Sequence, residues 1–237
     1  MNAEHHTVKE AIILAGGLGT RLRAAVPDLP KCMAPVAGHP FLYYIIKYYS
    51  SQGVDSFIFS LGYLHEVIEK YLKDAFPHLT YKICIEDEPL GTGGAIQKAL
   101  TIASTNEVLI LNGDTLFEVD LKELYRVHQS SAAECTLALK PMSAFDRYGV
   151  VTLDANQNVT KFLEKKYFDK GNINGGVYLL QKEGFSNKSF PEKFSFEKDY
   201  LEKHYNTGLF KGSIHDGYFI DIGIPQDFQK AQIDFAR

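Results

Sequence analysis

The sequence predicts an α/β fold, a doubly wound mixed sheet carrying a small α+β lobe, and three observations support it. Apolar β-rich runs alternate with segments of helical periodicity through the first half of the chain. Those runs read as continuous Ile, Val, Leu and Phe, the pattern of strands covered on both faces. After Ser130 the pattern changes to short strands separated by Asp, Asn and Gly turns. The first half is therefore Rossmann-like, and ligands of such sheets bind beyond the carboxyl ends of the strands.

Taken in order, Val8 to Leu14 is an apolar run ending in glycines and reads as the opening strand. Phe41 to Tyr49 follows with helical spacing, and Ser56 to Leu61 is again an unbroken apolar strand. His65 to Leu72 reads as helix, Tyr81 to Ile85 as strand, Ile96 to Ile102 as helix and Val108 to Leu111 as strand. Asp120 to Ser130 predicts another helix. Cys135 to Leu139, Gly149 to Leu153, Val159 to Leu163 and Gly176 to Leu180 are short strands between turn residues. Pro225 suits the first turn of a closing helix, Gln226 to Phe235. No linker, repeat or low-complexity tract divides the chain. One domain over residues 1–237 is expected, with halves 1–130 and 131–237, the second laid over the same sheet.

The 237 residues are 45% hydrophobic and 23% charged, an ordinary globular composition, so the chain can bury roughly three-quarters of its unfolded surface. With 25 Lys and Arg against 29 Asp and Glu, the net charge of −4 argues against a nucleic-acid partner. The longest apolar stretches fall far below the roughly 18 to 20 residues of a membrane helix, so no membrane partner is expected. The first ten residues resemble neither signal nor transit peptide, and a cytoplasmic location is the expectation. Cys32, Cys84 and Cys135 have no His at a metal-ligand interval and read as small buried hydrophobes. The eight His residues form no H-x-x-x-H pattern, so any metal must be a hard, oxygen-bound one.

The opening strand runs into Leu14-Ala15-Gly16-Gly17-Leu18-Gly19-Thr20-Arg21-Leu22, where three glycines let backbone N–H groups converge on an anion. Arg21 adds a planar fork suited to phosphate oxygens, and Lys31 a mobile point charge. Two familiar phosphate loops are excluded by spacing. Gly-Lys-Ser or Gly-Lys-Thr occurs nowhere, which removes the Walker loop. Gly17-Leu18-Gly19 and Gly91-Thr92-Gly93 both lack the third glycine of a dinucleotide fingerprint, which disfavours a NAD-dependent oxidoreductase.

Leu14 to Leu22 followed by Pro30 to Pro40 resembles the signature of the sugar-1-phosphate nucleotidylyltransferases, which make nucleoside-diphosphate sugars. The resemblance continues through Glu88-Pro89-Leu90-Gly91-Thr92, Asn112-Gly113-Asp114, Phe162 to Lys165, Asn174 to Tyr178 and Phe219 to Gly223. It covers nearly the whole chain and departs at Cys32, where the family usually has proline. It implies the nucleotide-diphospho-sugar transferase fold, with residues 1–130 binding nucleotide and 131–237 binding sugar.

The implied reaction is displacement at the α-phosphorus of a nucleoside triphosphate by a sugar 1-phosphate. Both reactants are anions and the nucleophile is already ionised, so alignment and charge neutralisation suffice. The resemblance puts Leu14, Ala15, Gly16, Gly17, Gly19, Thr20, Glu88, Gly91 and Asp114 on the nucleotide, with Arg21 on its triphosphate and Lys31 near the α-phosphate. Asp114 follows a buried strand and Asp221 stands in a similar setting; two carboxylates in one cleft call for a cation, which assigns both to Mg²⁺. Glu164 is implied for sugar hydroxyls and Lys165 for the sugar phosphate. Gly149, Asn174 and Gly175 are expected to shape the sugar pocket, with Asn174 open to reading as either sugar contact or turn residue.

Glu88 lies in the segment aligned with the family's base-recognition loop. A carboxylate accepts from the two adjacent donors of guanine, which favours GTP, although Glu86 or Asp87 could be the acceptor instead. For the sugar, the chain resembles the short guanylyltransferases acting on D-glycero-α-D-manno-heptose 1-phosphate, with mannose 1-phosphate the alternative. Glucose-1-phosphate thymidylyl- or uridylyltransferase is a further alternative. A non-catalytic nucleotide-sugar sensor would be expected to have damaged charges, whereas Arg21, Lys31, Asp114, Lys165 and Asp221 are all present. The sequence is silent on oligomeric state; a dimer is compatible with it.

Overall fold

The computed structural model describes residues 8–17 and 26–236. β1 (Glu10–Leu14) is followed by a single 3-10 turn at Lys31–Met33 and a short ladder of β2 (Pro35–Val36) with β3 (His39–Pro40). Then come α1 (Phe41–Ser51), β4 (Ser56–Leu61), α2 (His65–Ala75), β5 (Thr80–Ile85), α3 (Gly91–Leu100), β6 (Glu107–Asn112) and β7 (Thr115–Phe117). The chain continues through α4 (Leu121–Ser130), β8 (Cys135–Phe145), β9 (Val150–Leu153), β10 (Val159–Leu163), β11 (Phe168–Gln181) and α5 (Lys182–Ser186). A π-helical turn, Phe196–Leu201, leads into α6 (Glu202–His204), followed by β12 (Phe210–Ile214), β13 (Phe219–Asp221) and α7 (Pro225–Asp234). No helix among the described residues is long and apolar enough to cross a membrane.

β1, β4, β5 and β6 pair in parallel, and β11 closes against β6 in the opposite direction, which makes the sheet mixed. Apolar alternation along these strands feeds two cores. Ile12, Ile58 and Ile110 face one with α3 and the π-helical turn, while Ile13, Phe59 and Leu111 face the other with α1. The spacing of Leu42, Ile45, Ile46 and Tyr49 turns one stripe of α1 into that second core, and the Asp120 carboxylate caps α4 by accepting from the Lys122 and Glu123 amides.

The second half extends the sheet and does not lie over it. β8 pairs with β11, β12 with β8, and β9 with both β10 and β11. β11 is the hinge of this arrangement, since Val177 to Gln181 pair with β6 whereas Ile173 pairs with Val150 of β9. An irregularity between Asn174 and Tyr178 bends it there. α3 begins at Gly91, five residues before the helix that periodicity predicts. A Cβ on Gly91 would lie 2.5 Å from the Phe194 carbonyl, and Gly93 and Gly94 press on Phe194 and Glu192 in the same way. These glycines let a helix start against neighbouring backbone where composition alone reads as turn.

Candidate active site

The carboxyl ends of the parallel strands meet at one edge. The Ala15 amide donates to the Ser60 carbonyl at 2.8 Å, Gly113 to Leu14 at 2.9 Å and Glu86 to Leu61 at 2.7 Å. A Cβ on Gly16 would stand 2.6 Å from Glu86 Oε1, and one on Gly62 would stand 2.9 Å from the Gly16 carbonyl. Gly16 is therefore required by packing, while a Cβ on Gly17 would meet no atom within 4 Å among the described residues. Gly19, Thr20 and Arg21 lie outside the described residues.

At the same edge β7 and β13 pair antiparallel, with Asp221 opposite Thr115, and the Ile222 amide donates to the Asp114 carbonyl at 3.0 Å. This ladder brings the two acids together. Lys31, held on its turn behind Pro30, pairs with the Asp114 carboxylate and lies 3.7 Å from Asp221 Oδ1. Gly223 makes room, since a Cβ there would meet Asp221 Oδ1 at 2.7 Å and Lys31 Nζ at 2.9 Å. Burial first, and then the Asp114 charge, push the Asp221 carboxyl above its ordinary value; Lys31, the Gly223 amide and Arg147 act against that rise. Two carboxylates with one ammonium between them retain an uncompensated charge, a setting that fits a divalent cation shared with substrate phosphates. Among the described residues no group of three or more His, Cys, Asp or Glu could hold a metal alone. Cys32, beside Lys31, is buried and its thiol is pushed up to about 12, so it contributes no chemistry.

Beside the acids opens a cavity of about 440 Å³, within the size range of small-molecule sites. Asp221, Gly149, Glu164, Lys165, Asn174 and Gly175 all line it. Glu164 and Lys165 are exposed and, among the described residues, make no hydrogen bond or ion pair. Asn174 is a strand residue, not a turn former: its Nδ2 donates to the Tyr178 hydroxyl at 2.9 Å and its Oδ1 accepts from the Gly176 amide at 3.1 Å. Burial, then Asp221, raise the Tyr148 phenol in the same wall to about 12, which keeps it a hydrogen-bond donor. Gly149 is fixed by the backbone, because a Cβ there would stand 2.5 Å from the Leu163 carbonyl. Gly149→Ala is expected to cost about 1–3 kcal/mol by forcing β9 from β10, read as a lower denaturant midpoint.

Glu88 is exposed on its loop, and the carboxylate turned toward the glycine edge is Glu86. Glu86 Oε1 accepts from Ser60 Oγ at 3.1 Å and Oε2 from the Leu90 amide at 3.2 Å, which holds the side chain in place. Gly91 has φ +73° and stands at the first position of α3. Glu86 was named in the sequence only as one of three neighbouring acids; the signal that separates them is the Ser60 hydroxyl across the β4–β5 ladder.

The family profile described as Nucleotidyl transferase matches residues 10–237. A D-glycero-alpha-D-manno-heptose 1-phosphate guanylyltransferase of Aneurinibacillus thermoaerophilus is 53% identical over 223 residues, covering 94% of this chain and 96% of the relative. A protein of the same name from Campylobacter jejuni is 46% identical over 219 residues, covering 92% and 96%. The crystal structure of HddC from Yersinia pseudotuberculosis has a TM-score of 0.86 at 38% identity, covering 96% of this chain and 100% of that one. That protein has also been solved complexed with GMP-PN.

Proposed function

Since the chain belongs to the nucleotidyl transferase family, we propose that it transfers GMP from GTP to D-glycero-α-D-manno-heptose 1-phosphate, releasing pyrophosphate. The observation that carries this reading is the meeting of Asp114, Asp221 and Lys31, with Asp221 also lining the adjoining cavity of about 440 Å³. The names of the relatives at 53% and 46% identity support heptose over mannose, and the GMP-PN complex of the Yersinia protein supports a guanine nucleotide.

Asp114 and Asp221 are the residues that would hold Mg²⁺, which when bound neutralises phosphate charge and aligns donor with acceptor. Lys31 supplies the mobile positive charge for the α-phosphate and leaving pyrophosphate, and Arg21 serves the triphosphate. Leu14, Ala15, Gly16, Gly17, Gly19, Thr20 and Gly91 frame the nucleotide. Lys165 takes the sugar phosphate and Glu164 the sugar hydroxyls, with Gly149, Asn174 and Gly175 shaping the ring site. The acceptor phosphate is already ionised, so no side chain is required as base.

Glu86, in place of Glu88, reads guanine: each of its oxygens keeps a lone pair for one of the adjacent donors of the base. Glu86→Gln is expected to lower kcat/KM for GTP relative to UTP and ATP by roughly 10- to 100-fold, the loss of a charge-assisted pair. Glu88→Gln run alongside separates the two acids, and an unchanged nucleotide ratio in the Glu86 variant would refute its role. The reaction itself is tested by pyrophosphate release over panels of nucleoside triphosphates and sugar 1-phosphates. A preference for dTTP or UTP would overturn the guanylyl assignment.

A further inference from the structure

The ring and phosphate of the sugar account for one side of the cavity and leave the opposite wall unassigned. The acid side belongs to the β7–β13 ladder, whose Leu116, Phe117 and Ile220 pack into one core. The facing wall is the stretch from Ser195 to Glu202, whose Phe196, Tyr200 and Leu201 pack into the core on the other side of the sheet. In an α-helix, positions 197 and 202 would point to different sides. The wider i→i+5 turn over Phe196–Leu201 brings residues five apart toward one side, and Glu197 and Glu202 both line the cavity.

The turn is held by its surroundings. Phe196 donates its amide to Thr92 Oγ1 at 2.9 Å, and the Tyr200 hydroxyl donates to Glu134 Oε1 at 2.7 Å. Glu197 is half committed: its Oε2 accepts from Thr92 Oγ1 at 2.8 Å and from Ser195 Oγ at 3.1 Å. Its Oε1 accepts no hydrogen bond among the described residues, and the Glu202 side chain makes neither hydrogen bond nor ion pair among them, although the Glu202 amide donates to the Glu197 carbonyl. Two acceptor-only carboxylates thus line the cavity on a fixed turn, which also contributes Lys198 to the lining.

Resting on the sugar 1-phosphate reading above, we propose that Glu197 and Glu202 select a sugar with an extended exocyclic arm by accepting hydrogen bonds from its vicinal hydroxyls. With the C1 phosphate taken by Lys165 on the side of the cavity where Asp221 stands, the rest of the sugar reaches toward the wall formed by Ser195 to Glu202. A manno-hexose ends in a single primary hydroxyl, whereas a manno-heptose adds one carbon and a second hydroxyl on the adjacent position. Carboxylates accept and cannot donate, so an arm presenting two donors matches them. An arm with one donor leaves one carboxylate without a sugar partner, so the site gains one charge-assisted hydrogen bond fewer from a hexose than from a heptose.

The test measures kcat/KM for D-glycero-α-D-manno-heptose 1-phosphate and for mannose 1-phosphate at saturating GTP, in the wild-type protein, Glu202→Ala and Glu197→Gln. The heptose-to-mannose ratio is expected to fall at least tenfold in each variant, mainly through KM for the heptose. The Glu202 side chain is exposed and makes no hydrogen bond or ion pair among the described residues, so its truncation leaves the fold intact. A purely structural role would lower both sugars together and leave the ratio where it was. A wild-type preference for heptose that survives both substitutions overturns this proposal alone. A wild-type protein without that preference overturns the heptose reading as well.

Discussion

Asp221→Asn is expected to lower turnover by about 10³ while raising the melting temperature of the metal-free protein by about 2–4 °C, roughly 1 kcal/mol. The two effects share a cause. Burial and the neighbouring Asp114 hold the Asp221 carboxyl above its ordinary value, so its ionised form is costly in the folded state until a cation joins the pair. A group whose folded pKa is raised favours folding when protonated. That contribution is complete below the ordinary carboxyl value of about 3.9 and is lost as pH rises through the raised one. Asparagine is neutral at every pH and its amide oxygen can still accept from the Gly223 N–H, which Asp221 Oδ1 does at 2.7 Å. The proton also competes with the metal, so the Mg²⁺ concentration for half-maximal turnover should rise as pH falls through the raised value. Magnesium titrations across pH and melting curves in chelator check both halves. A flat magnesium requirement, or near-normal turnover of Asp221→Asn or Asp114→Asn, would remove these acids from the metal role.

Lys31→Met is expected to lower turnover by roughly 10²–10³, the effect of deleting one preorganised charge from a developing anion. Its stability effect has the opposite sign to that of Asp221→Asn. Without the ammonium that pairs with Asp114 and approaches Asp221, the two carboxylates face each other. The metal-free protein should then melt lower than wild type and recover more on adding Mg²⁺. Combining Lys31→Met with Asp221→Asn removes the repulsion, so the double variant should be less destabilised than the Lys31 variant. Turnover within tenfold of wild type would rule out the assignment of Lys31 to the reacting phosphates.

The parallel strands were legible because β1, β4 and β6 are apolar on both faces, a pattern independent of which strand lies next door. β12 was not among the predicted strands: Lys211, Gly212 and Ser213 offer no apolar run, yet all three are buried. The charge of Lys211 is met by Asn158 Oδ1, a partner 53 residues away. β8 and β11 run past their predicted ends because their polar outer halves pair with each other, from Phe145–Phe168 to Lys140–Ile173. The start of α3 was hidden because Gly91 to Gly94 are turn formers until Phe194 supplies the surface they pack on.

Within the candidate site, the glycine edge, Lys31, Asp114 and Asp221 could be named from residue order, since strand ends and charge types are local properties. Which of the neighbouring acids at 86–88 turns to the site was not local. Glu86 and Glu88 both lie beyond the end of β5, where strand alternation no longer sets a side chain's direction, so only the contact with Ser60 of β4 distinguishes Glu86 from exposed Glu88. By itself the sequence determined which residue types and strand ends were available for phosphate chemistry. Only the tertiary structure decided that Asp114 and Asp221 share one ammonium and that Glu197 and Glu202 share one wall. Pairing across β7–β13 and the pitch of a π-helical turn are set by through-space contacts that residue order does not encode locally.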